Sequence, residues 1–179
     1  ERLRLEEARP LLLRIEVDAH ASDGDDLRDG HLLAYARRDD IADLARRFAA
    51  RFAACGLDGQ ALAPVYGLAE CAVGLAFTPQ RGLQVDRIDR AAFSTHGEAV
   101  PAAPEDPNPL RFVACGRPLP GYELRVVDAS GSELPERREG RLQFRGPSAT
   151  AGYWRNPQAN ARLFDRDWLE TGDYAYLAG

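Results

Sequence analysis

Apolar positions early in the chain recur with a helical period. Ile41, Leu44, Phe48 and Phe52 fall at i, i+3, i+7 and i+11, one stripe with Ala45, Ala49 and Ala53 beside it. Arg46, Arg47 and Arg51 lie mostly off that stripe. The pattern predicts an amphipathic helix over residues 40–55 whose role is packing. Asp39 or Asp40 can cap its start, and Gly56 can take the left-handed position after its end. Ahead of it, Leu11-Leu12-Leu13-Arg14-Ile15-Glu16-Val17 predicts a strand, and the acidic, turn-rich residues 21–30 predict a surface loop.

From Leu110 onward the period changes to two. Arg111-Phe112-Val113-Ala114, residues 122–127 and residues 140–145 predict strands. The rigid turn Arg117-Pro118-Leu119-Pro120-Gly121 and the turn at residues 128–131 separate them. Asn156-Pro157 predicts a helix entry, a capping side chain followed by proline at the first position, with the helix running through Phe164. Asp165-Arg166-Asp167 predicts a turn into Trp168-Leu169. The sum is a small antiparallel, barrel-like unit. Between the two regions, residues 80–109 form a polar, Ala/Pro-rich connection with room for a short strand and one helical turn. It is far longer than an ordinary loop.

The stretch that joins these regions is Ala61-Leu62-Ala63-Pro64-Val65, a predicted short strand, followed by Tyr66-Gly67-Leu68-Ala69-Glu70 and the small apolar run from Cys71 to Phe77. Gly67 breaks the strand by opening backbone conformations closed to other residues. A carboxylate inside an apolar run is costly to bury without compensation, so Glu70 reads as an acid presented at the mouth of a cleft, beside the Tyr66 ring. The same residues also fit a core aromatic and an acid at a helix start.

Two further stretches bear on that choice. Gly140-Arg141-Leu142-Gln143-Phe144-Arg145-Gly146-Pro147 leads to Gly152-Tyr153-Trp154-Arg155-Asn156-Pro157, and Phe164-Asp165-Arg166-Asp167-Trp168-Leu169-Glu170-Thr171-Gly172-Asp173 follows. With Tyr66-Gly67-Leu68-Ala69-Glu70, and in this order, they resemble the adenylate-forming superfamily of AMP-dependent synthetases and ligases. Phe112-Val113-Ala114-Cys115-Gly116-Arg117-Pro118-Leu119-Pro120-Gly121 and the long segment before it resemble the fatty acyl-AMP ligases in particular. The resemblance covers roughly residues 39–179 and leaves residues 1–38 unassigned. It implies an α/β fold: a fragment of the large N-terminal domain, with part of its central sheet (residues 39–109) and a small antiparallel β-barrel-like subdomain (residues 110–179). It also implies a family insertion at about residues 80–109 that restrains a mobile C-terminal domain.

The resemblance implies ATP and Mg²⁺ as cofactors, a fatty acid as substrate and an acyl carrier protein as partner and acceptor. Carried over residue by residue, it makes Tyr66 a ring face for adenine, and Gly67 and Leu68 parts of the nucleotide wall. Glu70 becomes the catalytic Mg²⁺ ligand. Thr171 and Gly172 shape the turn presenting Asp173, whose two oxygens take the ribose hydroxyls. These residue types suit the roles: Mg²⁺ prefers one or two carboxylates together with phosphate and water, and acids bind ribose diols in dinucleotide sites. Tyr153 and Trp154 read as core aromatics, and Cys71, without a histidine nearby in sequence, as a buried structural thiol.

Composition narrows the classes further. Among 179 residues the formal charge is −5, and all 23 basic residues are arginine. With no basic block, a nucleic-acid partner is not expected. No apolar run approaches the ~20 residues of a membrane span, and no secretory signal opens the chain. Cys55, Cys71 and Cys115 are widely spaced, as free thiols in a reducing cytoplasm would be, and His20, His31 and His96 are too scattered for a zinc site. A chain without lysine cannot supply the superfamily's catalytic lysine, and its phosphate loop and C-terminal domain are also missing. The expectation is a partial chain holding one wall of the site and not self-sufficient as a catalyst. Two alternatives remain: an acyl-CoA synthetase of the same superfamily, or a non-catalytic nucleotide-binding fragment.

Overall fold

The computed structural model describes residues 11–14, 38–79 and 81–178. The predicted acidic loop at residues 21–30 lies outside the described residues. Strand β1 (Leu11–Arg14) is followed by α1 (Arg38–Phe52), which runs into a short 3₁₀ turn at Ala53–Cys55. Gly56 ends it in the left-handed conformation at φ 86°, as its position predicts. Because α1 begins at Arg38, Asp39 and Asp40 stand inside its first turn rather than at its cap.

The stripe on α1 is not the face that packs. Ile41, Leu44, Phe48 and Phe52 are each 42–54% exposed, while Ala42 is completely buried and Ala45 and Ala49 are half-buried. Small side chains let the helix approach closely on the alanine side. Phe48 and Phe52 pair with each other, their ring centroids 4.7 Å apart.

The remaining elements are β2 (Val65–Tyr66), β3 (Ala76–Phe77), β4 (Val85–Ile88), α2 (Arg90–His96), β5 (Leu110–Pro118), β6 (Glu123–Val127), β7 (Gly140–Arg145), α3 (Pro157–Leu163), β8 (Phe164–Asp165) and β9 (Trp168–Leu177). The predicted strand at residues 61–65 is displaced. A 3₁₀ turn capped by Asp58 covers Gly59–Ala61, and pairing starts only at Val65. β5 extends through the expected turn to Pro118, and the chain then reverses around Gly121 at φ 84°. α3 has its Asn156 cap, which accepts from the Ala159 amide. In the 80–109 connection, β4 and α2 are the short strand and helical turn its composition suggests.

The strands pair in the order β2-β3-β5-β1-β9-β7-β6, with β4 on β5 and β8 on β9, and each described pairing is antiparallel. The result is an α/β fragment whose antiparallel strands curl into a half-barrel. β1, from the stretch the sequence left unassigned, is inserted between β5 and β9, so Leu11–Arg14 belongs to this sheet.

β9 divides the core because successive strand residues face opposite sides. Ala175 joins one cluster with Tyr66, Cys71, Leu75, Leu142, Phe144 and Leu169. Tyr176 joins another with Ile88, Phe93 and Phe112, whose rings meet it at 5.9 and 5.7 Å between centroids. The hydroxyl of buried Tyr176 donates to Asp86, which also pairs with Arg137 at 3.1 Å. That link ties β4, and with it the 80–109 segment, to the far end of β9. The buried Gln143 is fully satisfied, donating to Asp165 and Glu170 and accepting from Arg125.

Candidate active site

Where β9 runs along β7, Gln143 opposes Glu170 and Arg141 opposes Tyr174. Leu142 therefore faces three residues of β9: Thr171, Gly172 and Asp173. Such a bulge bends the strand and re-aims a side chain. Gly172 takes φ 83°, a conformation other residues adopt only at a cost. Thr171 mends the broken ladder: its hydroxyl donates to the Leu142 carbonyl at 3.0 Å and accepts from the Asp173 amide at 3.0 Å. A Cβ at Gly172 would meet nothing within 4 Å, so the bulge borders open space.

The bulge aims Asp173 at Tyr66. The Tyr66 hydroxyl donates to Oδ2 of Asp173 at 2.6 Å across 107 residues of sequence. Burial first, and then the bond to Asp173, push the Tyr66 phenol well above its ordinary range, so it stays a neutral donor. The ring itself is only 7% exposed and belongs to the core. Tyr66 shares its core cluster with Leu75 and Phe144, and its hydroxyl is turned towards Asp173.

Beyond β2 the chain doubles back tightly. The Leu68 carbonyl accepts from the amides of Cys71 and Val73 and from the Cys71 thiol, and Leu75 returns its amide to the Tyr66 carbonyl. Gly67 is indispensable here because a Cβ would lie 1.4 Å from the Val73 carbonyl oxygen. The close approach Gly67 allows is to its own chain. Ala72 and Val73 take φ 54° and 74°, strained for residues with a side chain and rare for a β-branched one. Such strain persists only where surroundings impose it, and it concentrates at functional sites. Glu70, half-buried, sits in the 3₁₀ turn Ala69–Cys71 at the centre of this loop. Cys71 is buried, as expected of a structural thiol.

The segment after β7 grips this turn. Ser148 donates to the Cys71 carbonyl at 2.8 Å, the Thr150 amide donates to the Glu70 carbonyl at 2.8 Å, and the Tyr153 hydroxyl donates to Oε1 of Glu70. That last bond, followed by burial, raises the Tyr153 pKa above the ordinary phenol range. Tyr153 is 40% exposed and Trp154 85%, so neither is the core aromatic expected from sequence. Ser148 and Thr150 lie between β7 and α3, outside any periodic element, which is why they escaped the sequence reading.

The donor set suits Mg²⁺ better than zinc. Among the described residues there is no cluster of three or more His, Cys, Asp or Glu side chains that could hold a metal. A lone carboxylate completed by phosphate and water is the arrangement Mg²⁺ accepts. A separate cavity of about 550 Å³ lies beside Tyr174, Arg138 and Arg141. Tyr174 follows Asp173 in β9, so by strand alternation this hollow is on the side away from Tyr66.

Residues 41–154 match the family described as AMP-binding enzyme. The chain is 34% identical over 133 residues to a putative acyl-CoA synthetase of Caulobacter vibrioides, covering 73% of this chain and 23% of the relative. It is 30% identical over 121 residues to a long-chain-fatty-acid–CoA ligase of Escherichia coli, covering 68% and 17%. A solved structure from work on fatty acyl-adenylate ligases of E. coli and L. pneumophila superposes with TM-score 0.69 at 28% identity, covering 80% of this chain and 28% of that one. The chain thus spans less than a third of the length of these relatives. The matched family covers more than half of the chain, and this chain belongs to the AMP-binding, adenylate-forming ligase family.

Proposed function

We propose that the protein carrying this chain activates a medium- or long-chain fatty acid with ATP, forming acyl-AMP and pyrophosphate, and passes the acyl group to the phosphopantetheine arm of an acyl carrier protein. The observation that carries the reading is the Tyr66–Asp173 bond, with Glu70 four residues beyond Tyr66. It joins two of the three motif positions at the strand bulge.

Each residue has a definite task. Asp173 accepts the ribose hydroxyls, one of its oxygens being steadied by Tyr66. Thr171 holds the bulge that aims Asp173, and Leu68 anchors the turn that carries Glu70. Glu70 supplies an anionic oxygen for Mg²⁺, which when bound neutralises phosphate charge. Binding energy then goes into orienting the carboxylate for in-line attack at the α-phosphorus.

The 80–109 segment supports a carrier-protein acceptor over CoA. It is held by the Asp86 link and by the Glu98–Arg138 ion pair at 2.8 Å, as a fixed insertion restraining a mobile domain would be. The second reading, an acyl-CoA synthetase, is favoured by the names of the relatives from C. vibrioides and E. coli. Fatty-acid-dependent pyrophosphate exchange by the full-length protein tests the first step. Competition between holo-carrier protein and CoA, followed by mass spectrometry, tests the second: acyl-CoA as the main product overturns the carrier assignment. Absence of exchange with any fatty acid overturns the activation itself.

A further inference from the structure

We infer that Tyr153 is a positioning residue for Glu70, one that sets the affinity of the site for the divalent cation. This inference rests on the reading of Glu70 as the Mg²⁺ ligand. Three successive hydrogen bonds run from one segment to one turn. Those from Ser148 and the Thr150 amide reach backbone carbonyls, whereas the bond from Tyr153 reaches the carboxylate. The first two fix where the turn lies, and the third fixes where the charge points.

Tyr153 is itself held from behind. Its amide donates to Oδ1 of Asn160 at 2.7 Å, and its carbonyl accepts from Nδ2 of the same residue at 3.0 Å. Asn160 stands in α3, whose start is capped by Asn156. Gly152 takes φ 124°, a backbone conformation that favours glycine, beside the Asn160 side chain. A half-exposed tyrosine with both backbone groups clamped and its hydroxyl on an acid is not explained by core packing, which its 40% exposure rules out.

The chemistry follows from the donor's neutrality. A phenol hydrogen bond to Oε1 selects one carboxylate rotamer without cancelling its charge, and Oε2 keeps lone pairs for a cation. Carboxylates that ligate metals are commonly oriented by such a donor, and losing one typically weakens metal affinity by about 10- to 100-fold.

The test is calorimetric titration of Mg²⁺ into the full-length protein with a non-hydrolysable ATP analogue, comparing the parent with Tyr153→Phe and Glu70→Gln. Tyr153→Phe is expected to raise the Mg²⁺ concentration at half-saturation about 10-fold. Affinity for the analogue without metal and the thermal midpoint are expected to stay close to those of the parent. If Glu70→Gln shifts the Mg²⁺ dependence and Tyr153→Phe does not, the positioning role is overturned. Equal losses with and without metal in Tyr153→Phe overturn it as well, because a merely structural tether would act that way. If Glu70→Gln leaves Mg²⁺ dependence unchanged, the metal reading fails, and this inference fails with it.

Discussion

The hydroxyl of Tyr66 and the carboxylate of Asp173 meet at 2.6 Å, one at the end of β2 and the other in the bulge of β9. Neither residue reaches the other through a shared element. The contact exists because the sheet curls until the β2 end faces the bulge. A buried neutral donor on an acid is a strong way to fix that acid's direction, worth about 1.5–3 kcal/mol when the partner is charged.

Tyr66→Phe should therefore lower stability by about 1.5–3 kcal/mol and weaken nucleotide binding less than Asp173→Ala does. Asp173→Ala should weaken it equally with and without Mg²⁺. Denaturant unfolding and calorimetry measure the two quantities. Unchanged nucleotide affinity in Asp173→Ala would remove the ribose assignment.

Glu70→Gln keeps an acceptor for Tyr153 and the backbone bond to Thr150 while removing the charge. It should reduce only the Mg²⁺-dependent part of nucleotide binding, by about 10-fold or more. A comparable loss in the absence of metal would place Glu70 among residues that hold the turn rather than the ion.

Gly67→Ala should prevent the loop from closing. The added Cβ would fall 1.4 Å from the Val73 carbonyl oxygen, a backbone atom that cannot rotate away. Overpacking of this kind costs typically ~1–3 kcal/mol, and more where backbone must move. The loss should appear both as a lower thermal midpoint and as lost Mg²⁺ dependence, since Glu70 rides on the same loop.

Cysteine labelling should separate the three thiols. Burial pushes the Cys115 thiol up to about 11, so it stays protonated through neutral and mildly alkaline pH. The thiolate is the reactive form. Cys55, exposed, should be alkylated quickly at pH near 8 in the folded protein, while Cys115 and the buried Cys71 react only on unfolding. Mass-resolved alkylation measures this. Rapid labelling of Cys71 would show that the Glu70 turn opens readily.

Asp128 gives an acid-side signature. Hydrogen bonds from Ser130, foremost its side chain, and from the Ser132 amide hold its carboxyl below the ordinary carboxylate range. A depressed folded-state pKa contributes stability above the unfolded value and loses it as pH falls through the folded one. Asp128→Asn should thus lower stability at neutral pH and converge on the parent as pH falls, flattening the acid limb of the stability–pH curve.

Local pattern was enough for the elements whose residues answer to their neighbours. β7 starts and ends where the alternation does, α3 starts at its Asn156-Pro157 entry, and Gly56 stops its helix, because pleat, cap and left-handed turn are each decided within a few residues. The order of the Tyr66, Gly152 and Thr171 motifs was equally legible, and with it the family. Everything that depends on what lies opposite was not. The apolar stripe of α1 looked like a core face, yet Ala42 is the buried residue and the stripe is half-exposed, since periodicity shows that a face is apolar and not which neighbour will meet it. Tyr66 looked like an open ring, and only the convergence of β2, β7 and β9 buries it. The two extra residues at Thr171–Asp173 become a bulge only against Leu142, and Tyr153 becomes the donor to Glu70 only when a distant loop swings over the turn. Sequence fixes torsions and periods; the direction in which a carboxylate points is settled by atoms many residues away.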